Sequence, residues 1–383
     1  VKLTMKKEIK SALKVMTIVG TRPELIKLSR IIPLLDEHTQ HTLVHTGQNF
    51  SPELNEVFFN EMRIRKPDHV FSVAGSTPMN SIAKILELTD QVLESVMPDA
   101  ILVLGDTNSA LSVIAAKRRK IPIFHLEAGN RSFDQRTPEE VNRKIVDHTS
   151  DINLTYSEHA RRNLLHEGFV SNQIFNVGSP MKEIFNFYNL DFDKSKVLSE
   201  LQVEKDKYFV VSLHREENVD DSEKLIKLIE AIESTSEHFD YHVIFSTHPR
   251  TKERLSNLNI KSNKRINFIT ALGFFDFIKL QQNAFCVISD SGTLTEESSL
   301  LGFPAVTLRD AHERPEGTDN GILAMSGGSV NQLVSEVAVV RAQFDSGNYP
   351  KPISDYEVSD VSWRVVKIIL SYVEYVNKRV WFK

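Results

Sequence analysis

Short apolar runs that end in glycine or a polar residue, each followed by an amphipathic stretch, recur along the whole of this chain. The segment HLEAGNRSFDQRTPEEVNRKIVDH, His125 to His148, shows the pattern at its most informative. It continues the apolar run IPIFHLEAG, which reaches a carboxylate and a glycine as a buried parallel strand does on opening into a loop. That loop is rich in Arg, Asn, Asp and Gln; Pro138 closes it, and Glu139 and Glu140 open a helix. Alternation of this kind builds parallel sheets, and in an open α/β sheet ligands bind at the carboxyl ends of the strands. The segment therefore brings separated acid/base candidates, with basic groups between them, to one sheet edge.

In the first half, strands are expected at KVMTIVG, HTLVHTG, DHVFSV, DAILVLGDT, IPIFHLEAG, DINLTY and IFNVGSP, with helices such as SPELNEVFFNEM and TPMNSIAKILELTDQVLESV between them. The second half gives YFVVSLHR, YHVIFSTH, RINFIT, AFCVISDSG and FPAVTLRD. A polar stretch near residues 182–200 reads as a linker. At 383 residues the chain is too long for one ordinary core. The expected organisation is a loose leader over 1–13, a doubly wound domain over 14–182, a second over 183–358, and a C-terminal helix over 359–383. An echo links the halves: Arg22-Pro23-Glu24 and Arg314-Pro315-Glu316. No regular repeat accompanies it.

The net charge of −5 gives no support for a nucleic-acid partner, so any anionic ligand must meet a local basic cluster. No apolar stretch reaches the ~18 residues of a membrane span. The single cysteine, Cys286, lies in the apolar run AFCVISD. It reads as core packing, excludes an intrachain disulfide or Cys-based zinc site, and fits a reducing cytoplasm.

Five segments carry possible chemistry. In GTRPELIK a strand end meets a helix start, an anion site to which Arg22 and Lys27 add charge; a capped surface helix is the plainer alternative. It is not GxGxxG, so a dinucleotide fold gains no support. In LVLGDTNS, Asp106 either enters the same cleft or caps the next helix. In the opening segment Glu127 ends a strand, and Glu139 and Glu140 are about 100° apart on their helix. Arg143 stands four residues after Glu139, a spacing that permits an ion pair, so one glutamate is structural and the other available; spacing does not choose. In LHREEN, His214 follows a strand among charges. In CVISDSGTLTEESSLLGFPAVTLRDAHERPEG, Ser291, Gly292 and Thr293 precede a helix and suit phosphate oxygens. Glu297 suits a ribose diol, and Arg309 and Arg314 suit a diphosphate.

Taken in order, GTRPELIK, HTGQN, LGDTNS, HLEAG, RTPEEVNR, LHREEN, SDSGTLTEESSLLGFP and TLRDAHERPEG resemble the non-hydrolysing UDP-N-acetylglucosamine 2-epimerases, over nearly the whole chain. The resemblance implies an α/β, GT-B-like fold: two Rossmann-like doubly wound domains with a cleft between them and a terminal helix crossing back to the first. It implies inversion of C2 of a UDP-2-acetamido sugar, without cofactor or metal, by elimination and re-addition of UDP through a 2-acetamidoglycal. By matching position, Asp106, Glu127 and Glu139 would be the acid/base groups, which selects Glu139 over Glu140, and His214 would assist at the diphosphate. Arg22, Lys27, Arg143, Ser291, Gly292, Thr293, Glu297, Arg309 and Arg314 would contact substrate, and Phe277 of GFFDF would stack on uracil. A cytoplasmic homodimer is the expected assembly.

The chain departs from the N-acetylglucosamine enzymes at Thr46-Gly47-Gln48-Asn49, where the family has TGQH, and at FSVAGSTPMN, where a PGQ-type piece is usual. Both pieces belong to the family's activating site for a second UDP-sugar. The loop AGNRSFDQRTPEE resembles the branch that forms UDP-N-acetyl-L-fucosamine from the 6-deoxy-L-talose isomer for capsule or O-antigen synthesis. The alternatives are the N-acetylmannosamine-forming epimerase, a GT-B glycosyltransferase, or a non-catalytic UDP-sugar sensor.

Overall fold

Two parallel sheets wound in the same order organise the chain, as seen in a computed structural model that describes residues 12–48, 58–73, 77–311 and 313–383. One unit takes in the chain up to Ile184 together with Val358–Lys383, and the other spans Phe185–Glu357. The strands of the first unit are β1 (Lys14–Val19), β2 (Gln40–His45), β3 (His69–Val70), β4 (Ala100–Leu104), β5 (Ile123–Leu126), β6 (Ile152–Thr155) and β7 (Ile174–Asn176). They lie in the order β3-β2-β1-β4-β5-β6-β7. The second unit holds β8 (Tyr208–Ser212), β9 (His242–Thr247), β10 (Ile266–Thr270), β11 (Cys286–Ser289), β12 (Ala305–Leu308) and β13 (Ala324–Ser326), ordered β10-β9-β8-β11-β12-β13.

Strand positions follow from burial. Every residue of β4, β5 and β6 is buried, as in sheets covered on both faces, so these strands read as unbroken apolar runs. Met16, Ile18, Val103 and Ile123 meet Ile85, Leu93 and Val146 in the core of the first unit. Phe209, Val211, Phe245 and Val306 meet Leu228, Ile232 and Val337 in that of the second. Cys286 is fully buried in β11, and burial pushes its thiol pKa up, which keeps it protonated.

The expected helix over 77–96 is observed at Pro78–Val96; Thr77 caps it by accepting from the Asn80 amide at 3.1 Å. SPELNEVFFNEM lies largely outside the described residues, as do Asn49 and positions 74–76 of the two family departures. The C-terminal helix Val361–Arg379 belongs to the first unit, where Ser362 donates to Glu183 and Tyr372 meets Phe175 edge-on at 4.8 Å. No helix of the described residues is long and apolar enough to cross a membrane.

Three readings need correction. The expected DHVFSV strand shrinks to two paired residues at the sheet edge, Val44↔His69 and His45↔Val70. The three-residue β13 is too short to show as a periodic run. The stretch read as a linker is helical: Met181–Phe187, Asn189–Lys194 and Val197–Glu200. Within its polar composition Phe185, Tyr188 and Phe192 form a buried aromatic set against Phe274 and Phe275, enough apolar area to fold the segment onto the second unit.

Candidate active site

Each sheet reverses its winding once, between β1 and β4 in the first unit and between β8 and β11 in the second. Such switch points open a crevice at the carboxyl ends of the strands. Arg22 follows β1, Asp106 follows β4, His214 follows β8, and Ser291 and Gly292 follow β11. Four of the five chemistry-bearing segments therefore flank a switch point, and the fifth, at Glu127, ends the next strand.

In the first unit the turn after β1 is closed by Glu24. Its carboxylate accepts from the Gly20 and Thr21 amides at 2.9 and 2.7 Å, from Thr21 Oγ1 at 2.8 Å and from Thr107 Oγ1 at 3.1 Å. The anion site expected from the backbone at this turn is thus occupied by the chain itself, and the half-buried Arg22 guanidinium lies over the Phe58 ring, 4.7 Å from its centre. A Cβ on Gly20 would stand 1.9 Å from Ser109 Oγ and 2.3 Å from Thr46 Oγ1, so the turn tolerates no side chain. Burial pushes the Glu24 carboxyl up to about 7, against four hydrogen bonds that favour its charged form. A raised acid stabilises the fold fully below its unfolded value of 4.5 and loses that contribution as pH rises through about 7. Urea midpoints should therefore show a fall between about pH 4.5 and 7 that is flattened in Glu24→Gln.

Asp106 and Glu127 each have a cation. Arg143 Nη2 lies 2.7 Å from Asp106 Oδ2, and Lys27 forms a buried ion pair with Glu127. Lys27, expected at the diphosphate, is directed at this carboxylate and sits 5.6 Å from the Tyr156 ring. Glu127 has φ +67°, a left-handed conformation that costs about 1–2 kcal/mol in a residue with a Cβ. It is held there because Ala128 donates to Leu154 O and the Gly129 amide to Asp147. Strain of this kind concentrates at functional positions.

Glu140 is fully buried and accepts from the Ser132 amide and hydroxyl at 3.0 and 3.1 Å and from the Phe133 amide at 3.2 Å. Arg143 Nη1 approaches it to 2.6 Å, so Arg143 pairs three residues back as well as across to Asp106. Glu140 thereby fastens the loop and Glu139, on the first turn of the helix Pro138–Thr149, is partly exposed. Beneath them Asp147 joins His125 Nδ1 at 2.8 Å and Arg131 Nη1 at 2.7 Å, all three side chains having no exposure. His125 Nε2 reaches the carbonyl of Gly105, 2.9 Å away, and so fixes the residue before Asp106. Burial alone would raise the Asp147 pKa; contacts with His125 and Arg131 outweigh it and leave it below the ordinary carboxylate value. Sequence reasoning missed Glu24, His125, Arg131 and Asp147; only His125, a polar residue inside the apolar run IPIFHLEAG, carried a local signal.

In the second unit Asp290 is fully buried and accepts from the amides of His214 and Arg215 at 3.1 and 3.0 Å and from Asn218 Nδ2 at 3.1 Å. His214 Nδ1 is 3.0 Å from it, which orients the ring with Nε2 away from the carboxylate. Burial opposes ionisation of Asp290, but His214 and these donors hold it below its usual range. Ser291 Oγ meets Thr293 Oγ1 at 3.0 Å just before the helix Leu294–Leu301. Glu297, on that helix, accepts from Gln281 Nε2 at 2.9 Å. Phe277 packs half-buried on the core around Leu280 and Leu294. Arg309 and Arg314, both buried, close on the Ser291–Gly292 turn. Asp290, the residue that aims His214, was passed over because a lone Asp before Ser-Gly looks like turn chemistry.

Comparison with known proteins agrees with this arrangement. The family model described as UDP-N-acetylglucosamine 2-epimerase matches residues 34–370. The solved UDP-N-acetylglucosamine 2-epimerase of Rickettsia bellii superposes with a TM-score of 0.90 at 48% identity, covering 97% of this chain and 100% of that one. The UDP-GlcNAc 2-epimerase of Methanocaldococcus jannaschii, solved with UDP-GlcNAc and UDP, gives 0.88 at 35% identity over 94% of this chain and 100% of that one. A UDP-2,3-diacetamido-2,3-dideoxy-D-glucuronate 2-epimerase of Pseudomonas aeruginosa is 33% identical over 84% of this chain and 90% of its own length. With its two parallel-sheet α/β units built as in these enzymes, the chain belongs to the non-hydrolysing UDP-N-acetylglucosamine 2-epimerase family of isomerases.

Proposed function

We propose that the chain epimerises C2 of UDP-2-acetamido-2,6-dideoxy-L-talose to give UDP-N-acetyl-L-fucosamine. The observation that carries the reaction is Asp106 at the switch point of one sheet with Glu127 at the end of the next strand, each facing a cation, and an arginine-lined turn with an oriented histidine at the switch point of the other. A base removes the C2 proton while the C1–O bond to UDP breaks, giving a 2-acetamidoglycal and UDP. A proton then reaches C2 from the opposite face as the UDP oxygen re-adds to C1. Asp106, Glu127 and Glu139 serve these proton transfers; Arg143 and Lys27 set the charge of the first two. His214, aimed by Asp290, meets the leaving diphosphate oxygen. Arg22, Ser291, Gly292, Thr293, Arg309 and Arg314 hold the diphosphate, Glu297 the ribose and Phe277 the uracil.

The sugar is read from the loop Asn130–Thr137, which departs from the N-acetylglucosamine enzymes and displays Phe133, 75% exposed at φ +57°. An aromatic ring held out in this way suits a 6-methyl group better than a 6-hydroxyl. Relatives whose names specify different sugars show that family membership alone does not fix the sugar. The glycosyltransferase and sensor alternatives lose support from the same names.

The test is incubation in D₂O, without acceptor, of the 6-deoxy-L-talo and the D-gluco UDP-2-acetamido sugars. Epimerisation with one deuterium at C2, faster on the 6-deoxy isomer, is expected. Preference for the D-gluco isomer would overturn the sugar; absence of exchange on either would overturn the assigned chemistry.

A further inference from the structure

Three arginines converge on the Ser291–Gly292 turn of the second unit, and one carboxylate of the chain ties them together. Glu313 Oε1 lies 3.2 Å from Arg215 Nη2 and 3.9 Å from Arg314 Nη1, and Oε2 lies 2.8 Å from Arg309 Nη1. Glu296 takes Arg314 Nη2 at 3.2 Å. Arg309, Glu313, Arg314 and Glu296 are all buried. The glutamate presses on the turn itself: a Cβ on Gly292 would stand 2.6 Å from Glu313 Oε1 and 2.5 Å from Arg314 Nη1. Among Ser291, Gly292, Thr307, Arg309, Glu313 and Arg314 the free space is about 10 Å³, room for about one water.

A diphosphate does not fit that space while the Glu313 carboxylate fills it. We infer that Glu313 is a built-in stand-in for the diphosphate, a positioning residue that holds Arg215, Arg309 and Arg314 together in the free enzyme and gives way when nucleotide arrives. The inference rests on the reading above, in which this turn receives UDP. Its physical basis is the cost of the empty cradle. Burial disfavours the Arg309 charge and neighbouring Arg215 adds to the penalty, while Glu313 opposes it. Clustered guanidiniums without a counter-anion are expensive to bury. Exchanging one anion for another avoids that cost, keeps the arginines preorganised, and leaves a group ready to refill the site as UDP departs.

Glu313→Gln separates a stand-in from a member of the bound cradle. Removing a stand-in raises the free energy of the free enzyme alone, so UDP should bind about tenfold more tightly by calorimetry, and inorganic pyrophosphate likewise. The melting temperature of the free variant should fall while that of the UDP-saturated variant stays near wild type. Equal or weaker UDP binding by a variant with wild-type circular dichroism overturns the inference. Glu313→Asp, whose shorter arm cannot span all three arginines, should give an intermediate affinity; weaker binding than wild type overturns the inference even where Glu313→Gln does not fold. Failure of the wild-type protein to bind UDP would instead remove the reading beneath it.

Discussion

Glu127→Gln should lower turnover on the UDP-sugar by about 10²–10⁴, the range for losing a positioned acid/base group, or roughly 3–5 kcal/mol of barrier. The substitution preserves volume and leaves the left-handed backbone at Glu127 as it is, so the change is confined to the proton and the charge facing Lys27. Asp106→Asn, which removes the carboxylate facing Arg143, should act on the same scale. UDP affinity should be nearly intact in both, because the groups assigned to UDP belong largely to the other sheet. Steady-state kinetics with UDP titration checks this; near wild-type turnover in either variant removes that residue from the proton-transfer set.

Asp147→Asn should destabilise the protein by about 3–5 kcal/mol, the cost of removing one partner from a buried ion pair. Asp147 faces both Arg131 and His125 where none of the three side chains is exposed. Arg131 retains Glu167 at 2.6 Å, but that partner is partly solvent-exposed. The neutral amide takes the counter-charge from the buried Arg131 guanidinium and disturbs the contact with His125, and it loosens the Gly129 amide and, through His125, the Gly105 carbonyl. Urea denaturation measures the effect; a loss under about 1 kcal/mol would mean that Arg131 and His125 find other partners.

The sheets and their ends were legible because strands covered on both faces must be apolar throughout, and the residues that break such runs fall at the ligand edge. Asp106, Glu127, His214 and Ser291 all stand just beyond such strand ends, after β4, β5, β8 and β11. The partners were not legible. Asp147 meets a histidine 22 residues earlier, Glu24 meets Thr107 83 residues later, and Asp290 meets the His214 amide 76 residues earlier. Those meetings are set by strand order, which local periodicity does not encode. Arg143 shows the same limit at short range. Its spacing allowed a pair with Glu139, yet the buried side of the helix carries Glu140, and that glutamate takes it. The aromatic residues between 185 and 192 were hidden by their polar neighbours, since composition averages over faces that a helix separates.

The loop that displays Phe133 is tied by Glu140 at Ser132 and Phe133 and by Asp147 at Gly129 and Arg131. Both anchors stand on the single helix Pro138–Thr149, two turns apart. One helix therefore carries two of the loop's fastenings, while Glu167 at Arg131, Asn163 at the Gly129 carbonyl and His125 at Asp147 join the segment to its neighbours. On the reading proposed above, a transplant of sugar preference between enzymes of the family has to carry those outside partners, Glu167, Asn163 and His125, along with the loop and its helix.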